Sequence, residues 1–214
     1  ATSVYVHFPW CRHRCSYCDF ATAVARTIPR QAYLKAVIAD LKSRAELLGE
    51  VETIFFGGGT PSLWGPQPVA AVIEAIADTV GLAADAEITL EANPGASGPA
   101  DLAGLATAGV NRLSLGVQAL DDERLQGLDR IHDADAARLA LAEVSRLLAR
   151  GALKSASADL LLGAQGQAMA HMAAELTELK VIDVGFCPVL EGKYQLVLRA
   201  VEGAHASIRF VPDA

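Results

Sequence analysis

Cys11-Arg12-His13-Arg14-Cys15-Ser16-Tyr17-Cys18 places three thiols within eight residues, spaced C-x3-C-x2-C, directly after the apolar run Ser3-Val4-Tyr5-Val6-His7-Phe8. A strand that delivers several soft ligands into one loop is a metal site in the making. The same layout, an apolar run ending in a polar or glycine-rich loop, recurs along the chain and decides the fold.

Glu52 to Phe56 is a second β-rich run and ends in Gly57-Gly58-Gly59-Thr60-Pro61; Glu87 to Leu90 is a third, closed by Glu91-Ala92-Asn93-Pro94-Gly95. Arg112 to Val117, Ser155 to Leu161 and Val181 to Cys187 read as three more strands. Between them lie helical periodicities. Gln31 to Leu48 puts Tyr33, Ala36, Val37, Leu41 and Leu47 on one face, and Gln67 to Val80 carries the stripe Val69, Val72, Ile73, Ile76 and Val80. Pro99 to Ala108 has proline in its first turn and Gly109 just past its end, as helix boundaries prefer. Asp133 to Arg150 and Ala168 to Lys180 are further helices. Strands alternating with helices of this length imply parallel βαβ units. We expect an α/β fold, a partial (β/α)6 TIM-like barrel over residues 1–190. Residues 191–214 form a β-like extension of unknown role, with Tyr194 to Val201 and Ala206 to Val211 as a C-terminal β-hairpin closing one edge.

Composition narrows the function. A net charge of -7 and no basic stripe argue against a nucleic-acid partner. No apolar run reaches the length of a membrane span, and the start lacks the layout of a secretory leader. Four cysteines among 214 residues are too few for a disulfide scaffold, so a reducing, cytoplasmic setting is expected.

In parallel α/β folds ligands bind at the carboxyl ends of the strands. Cys11 to Cys18, Gly57 to Thr60, Glu91, Gln118 and Asp159 would therefore rim one mouth. The thiols leave two metals open. Structural zinc takes four closed ligands, and only three are local here, with Cys187 distant. An iron–sulfur cluster with one open iron suits three thiolates. Arg12 and Arg14 would help keep them deprotonated. The glycine triplet is either a tight turn or a close backbone approach whose N–H groups meet an anionic or amino-acid-like ligand. It matches neither the P-loop nor G-x-G-x-x-G.

Taken jointly, several runs resemble the radical S-adenosylmethionine (SAM) superfamily over about residues 3–167. They are Tyr5-Val6-His7-Phe8-Pro9-Trp10-Cys11, the cysteine loop with Tyr17, Phe56-Gly57-Gly58-Gly59-Thr60-Pro61-Ser62, Glu91-Ala92-Asn93-Pro94, Leu113 to Gln118, Arg130-Ile131-His132 and Asp159-Leu160. Their order is similar to the branch that holds oxygen-independent coproporphyrinogen III oxidase and the heme chaperone HemW. The resemblance implies a 4Fe–4S cluster on Cys11, Cys15 and Cys18, with SAM on the fourth iron. Reductive cleavage of SAM would give a 5′-deoxyadenosyl radical, with a reductant such as flavodoxin or ferredoxin as partner. It further implies cofactor contacts from Tyr5, Tyr17, Gly58, Gly59, Thr60 and Glu91. Gln118, Arg130 and Asp159 match further binding positions, which in the oxidase serve a second SAM.

Each has an ordinary alternative. Glu91 reads equally as a rim carboxylate, and Arg130 as a surface arginine pairing with Asp129 or Asp133. Gln118 and Asp159 are polar residues in apolar strands that need partners. His7 reads as a core histidine and His132 as a helix-start residue.

The oxidase loop usually continues to a fourth cysteine, where this chain has Phe20; the Cys-Asp-Phe ending is similar to the chaperone branch, which implies heme or a porphyrin as a further ligand. The family's Tyr-Gly-Leu-Pro-Gly-Gln is here Leu162-Gly163-Ala164-Gln165-Gly166-Gln167, and no His-Asn-x-x-Tyr-Trp heme motif follows. Three functions follow from the resemblance: a HemW-like radical SAM protein, a porphyrinogen-decarboxylating oxidase, or a non-catalytic metal or heme carrier.

Overall fold

The computed structural model describes residues 2–96, 98–162, 175, 178–179, 183–188, 194–198 and 210–212. The first strand β1 (Thr2–Phe8) is followed by a two-residue pair, β2 (Trp10–Cys11) and β3 (Ala23–Val24), that closes the cysteine loop. Then come α1 (Arg30–Ser43), β4 (Val51–Gly58), α2 (Pro66–Val80), β5 (Leu82–Ala92), α3 (Pro99–Thr107), β6 (Arg112–Gln118), α4 (Asp122–Gly127), α5 (Ala134–Ala149) and β7 (Ser155–Leu162). The strands β8 (Asp183–Pro188), β9 (Tyr194–Leu198) and β10 (Phe210–Pro212) complete it.

Six strands pair in parallel in the order β1-β4-β5-β6-β7-β8. Sequential order means that every crossover steps the same way round, as in a barrel rather than a doubly wound sheet. Among the described residues β1 and β8 do not pair with each other, so the barrel is partial, as expected. The pair β9–β10 runs antiparallel and adds to the β8 edge; it extends the sheet there rather than closing it onto β1. Of the expected helix Ala168 to Lys180 only residues 175, 178 and 179 are described, and the side chain of Cys187 lies outside the described residues.

Alternation within the strands sorts side chains between two faces. Val6, Phe8, Ile54, Phe56, Ile88, Leu90, Leu113, Leu115, Ala158 and Leu160 are buried against the helices. The helices return Val69, Val72, Ile73 and Ile76 from α2, Leu102 and Leu105 from α3, and Val144 and Leu147 from α5. The inner face is polar, which parallel strands covered on both sides rarely show. There Thr53 donates to Ser3 at 2.8 Å, Ser157 to Ser114 at 3.1 Å, and Arg112 to Ser157 at 3.2 Å.

Local chemistry sets the element ends. The Asp121 and Asp133 carboxylates accept from Arg124 N–H and Ala136 N–H and cap α4 and α5. Gly109 stops α3 with φ +106°, a value open to glycine.

Two expectations for the first helix need correction. It ends at Ser43 and gives way to a 3₁₀ turn over Ala45–Leu47. The changed twist turns Leu47 outward to 84% exposure, and Ala36 is exposed as well. α4 was not read from the sequence; six residues give too little periodicity to stand out.

Candidate functional site

The cysteine loop is held at its root by main-chain bonds and rings. Gly59 N–H donates to the Phe8 carbonyl at 2.7 Å, Thr60 N–H to the Trp10 carbonyl at 2.9 Å, and Ala23 N–H to the Pro9 carbonyl at 2.7 Å. Trp10 lies 5.3 Å from Phe8 and 4.8 Å from Tyr33, centroid to centroid, and Tyr33 lies 5.2 Å from the buried Trp64. These aromatics fix the residue before Cys11.

The glycines allow this closeness. A Cβ on Gly59 would sit 2.6 Å from the Trp10 carbonyl oxygen and 3.0 Å from Cys11 Sγ; one on Gly58 would sit 2.8 Å from the His7 ring. The N–H groups of Gly58, Gly59 and Thr60 are therefore all engaged within the protein. Close backbone approach is what the triplet provides.

The three thiols are half-buried and unpaired. Burial pushes the Cys11 thiol up, offset by the facing Thr60 hydroxyl. Among the described residues no three His, Cys, Asp or Glu side chains gather tightly enough around one point to hold a single metal ion. The thiols are spread around a loop that borders a cavity of about 330 Å³.

That cavity brings together most of the expected residues: Cys11, Cys15, Tyr17 and Cys18 on the loop face Gly58, Gly59 and Thr60, with Glu91, Gln118, Arg130 and Asp159 on the remaining walls. Tyr5 stands beside it rather than in it. The residue is 58% exposed; its ring crosses over Gly57, stacks on Phe55 at 6.0 Å and meets His7 Nδ1 through its hydroxyl at 3.1 Å.

Glu91 accepts from Gly58 N–H at 3.1 Å. Burial pushes its carboxyl up to about 6; the Gly58 bond and His7 pull the other way, and nearby Asp159 adds to the rise. Burial also raises Asp159, while Ser114, donating at 3.1 Å, and Arg112 oppose it. Gln118 ends β6 with φ +66°, a sparsely populated conformation for a side-chain-bearing residue. Its Oε1 is buried without a partner, which a bound ligand would satisfy.

Arg130 is not a surface arginine. It donates to Asn93 Oδ1 at 2.7 Å, to the Gly116 carbonyl at 2.9 Å, to Tyr17 Oη at 3.1 Å and to Cys15 Sγ at 3.5 Å. Asp129, with φ +54°, points the other way and pairs with His13 at 2.8 Å. The cation beside a thiol is thus Arg130. Arg14 reaches the Cys18 carbonyl at 3.4 Å.

Asn93 and Gly116 were not singled out in the sequence. Asn93 links Arg130 to Thr60 Oγ1, to which it donates at 3.2 Å, and a Cβ on Gly116 would lie 2.4 Å from Asn93 Oδ1. The signal was present: Ser114, Gly116 and Gln118 fall on one face by the period of a strand. His132 is buried and donates from Nε2 to the Val117 carbonyl at 3.1 Å; burial, then Arg130, lower its imidazole to about 4. It is a structural histidine that holds the end of β6. His7 meets the Ala21 carbonyl at 3.0 Å and so steadies the far end of the cysteine loop.

Comparisons with known proteins identify the family. Residues 5–172 match the family model described as the radical SAM superfamily. The bovine radical S-adenosyl methionine domain-containing protein 1, mitochondrial, is 44% identical over 179 residues, covering 83% of this chain and 40% of the relative. The heme chaperone HemW of Escherichia coli is 37% identical, covering 82% of this chain and 46% of that protein. The solved coproporphyrinogen III oxidase HemN of Escherichia coli superposes with a TM-score of 0.79 at 26% identity, covering 89% of this chain and 44% of the oxidase. The chain thus spans less than half the length of these relatives.

Proposed function

We propose, given that this chain belongs to the radical SAM superfamily, that it holds a 4Fe–4S cluster on Cys11, Cys15 and Cys18 and SAM beside it, and serves heme handling as a HemW-like protein. One observation carries the reading: a single cavity bordered by three unpaired thiols, the Gly58–Thr60 turn and the Glu91 carboxylate.

The residues suit these groups. Three local thiols suit a cluster that keeps one iron open, whereas a structural zinc ion wants four closing ligands. When bound, such a cluster supplies the single electron that cleaves SAM reductively. The chain's own part is placement. The carboxylates of Glu91 and Asp159 offer acceptors to a cationic, amino-acid-like ligand, and the unpartnered Gln118 Oε1 offers a third. The close-packed glycines and the aromatic brace beneath Trp10 hold the root of the loop in place.

Two features support the chaperone branch. Phe20 stands where the oxidase loop has its extra cysteine, and the HemW match is the stronger in identity. Heme is the further ligand, and a flavodoxin- or ferredoxin-type reductant the partner. A reducing compartment suits the unpaired thiols, and we take it to be the cytoplasm; the animal relatives bear mitochondrial names. Among the described residues no helix is long and apolar enough to cross a membrane.

The deciding experiment is anaerobic reconstitution with iron and sulfide, then SAM and a strong reductant. Formation of 5′-deoxyadenosine supports the enzyme reading, and its absence from a fully loaded protein sinks it. Saturable heme binding by the longer natural chain tests the chaperone role, and decarboxylation of coproporphyrinogen III would replace it with the oxidase.

A further inference from the structure

Arg130 sits where three parts of the site meet. Its Nη1 reaches Tyr17 Oη and Cys15 Sγ on the cysteine loop, while its Nη2 reaches Asn93 after β5 and the Gly116 carbonyl in β6. Asp129, just before it, takes a left-handed turn at φ +54°, and the Asp129–His13 pair holds the same loop. A half-buried cation held by four acceptors is fixed in place, unlike Arg12 and Arg14, which are exposed.

We propose that Arg130 is a positioning residue that donates an N–H to the Cys15 sulfur and thereby sets the reduction potential of the cluster bound there. This rests on the cluster reading above. Reduction adds negative charge to a cluster, and a fixed cation donating to a ligand sulfur stabilises the reduced form, which raises the potential. The same side chain also carries the position of the thiol to Asn93, and through Asn93 to Thr60 on the opposite wall.

The test uses the reconstituted protein and its Arg130→Gln and Arg130→Lys variants. Iron and sulfide content are measured first, then the midpoint potential by redox titration followed by electron paramagnetic resonance. The expected result is full loading with a more negative potential in Arg130→Gln. Arg130→Lys should lie between, because an ammonium supplies charge without the fork that spans Cys15 and Gly116. A fully loaded variant whose potential equals the wild type overturns the proposal. So does loss of the cluster from both variants with the fold retained by circular dichroism, which would make Arg130 a purely structural clamp. Failure of the wild-type chain itself to take up a cluster would instead remove the reading beneath it, so the two failures are distinguishable.

Discussion

The Gly58 backbone N–H donates to the Glu91 carboxylate at 3.1 Å, joining the end of β4 to the end of β5 on the inner face of the sheet. One such bond does not compensate for burial, since the carboxyl still sits at about 6. A raised carboxyl binds its proton more tightly in the folded state, so between about pH 4.5 and 6 stability falls as pH rises, and above 6 the full cost is present. Glu91→Gln should therefore stabilise the ligand-free chain at neutral pH by about 1–2 kcal/mol while weakening SAM binding at least tenfold. Denaturant unfolding and equilibrium binding read the two effects; equal SAM affinity in the variant would count against Glu91 as a ligand-binding group.

His132 gives a pH dependence of the opposite sign. Its folded-state imidazole lies at about 4, below the ordinary value of 6.5. The unfolded chain then binds more protons through that window, and stability is lost as pH falls from 6.5 toward 4, by about 3 kcal/mol in all. His132→Gln keeps an N–H for the Val117 carbonyl and removes the titration. Its stability should be flatter between those pH values in urea titrations; a curve parallel to the wild type would point to another group.

Gly59→Ala places a methyl 2.6 Å from a backbone oxygen, and Gly116→Ala places one 2.4 Å from Asn93 Oδ1. The first contact cannot relax without moving the root of the cysteine loop. The second displaces Asn93 and, through it, Arg130. Both variants should fold and lose most of their iron after reconstitution, Gly59→Ala the more severely. Wild-type iron content in Gly59→Ala would show that the loop tolerates a shifted root.

Cys15→Ser should lower iron and sulfide uptake to a small fraction of wild type without affecting unfolding in the metal-free state, because the thiol is only half-buried. Leu113→Ala in central β6 should do the reverse. That side chain is fully buried between β6 and the helices, and its removal should cost about 2–5 kcal/mol. Metal analysis and denaturant midpoints separate the two classes.

Much of this was legible in the chain. The stripe at Val69, Val72, Ile73 and Ile76 gave α2, and the apolar runs ending in polar loops gave the parallel strands and their common mouth. Leu47 was misplaced because periodicity does not show that a helix has ended and a 3₁₀ turn begun. Arg130 was harder. Charges beside it in sequence, Asp129 and Asp133, are ready partners on paper, yet its real acceptors come from loops after β1 and β5 and from β6. Contacts of that range are a product of the fold. Tyr5 shows the same limit, since the stacking on Phe55 that draws it to the side of the cavity depends on register between β1 and β4.

The root of the cysteine loop is fastened by peptide groups, through Gly59 to Phe8 and Thr60 to Trp10. Peptide groups are the same whatever side chains the loop carries. Arg12, His13, Arg14 and Ser16 can therefore drift without unseating that root, and the rim can be refitted while the foundation stays put. What cannot drift are the hydrogens on the glycines: their lack of a side chain is the fixed part of the design.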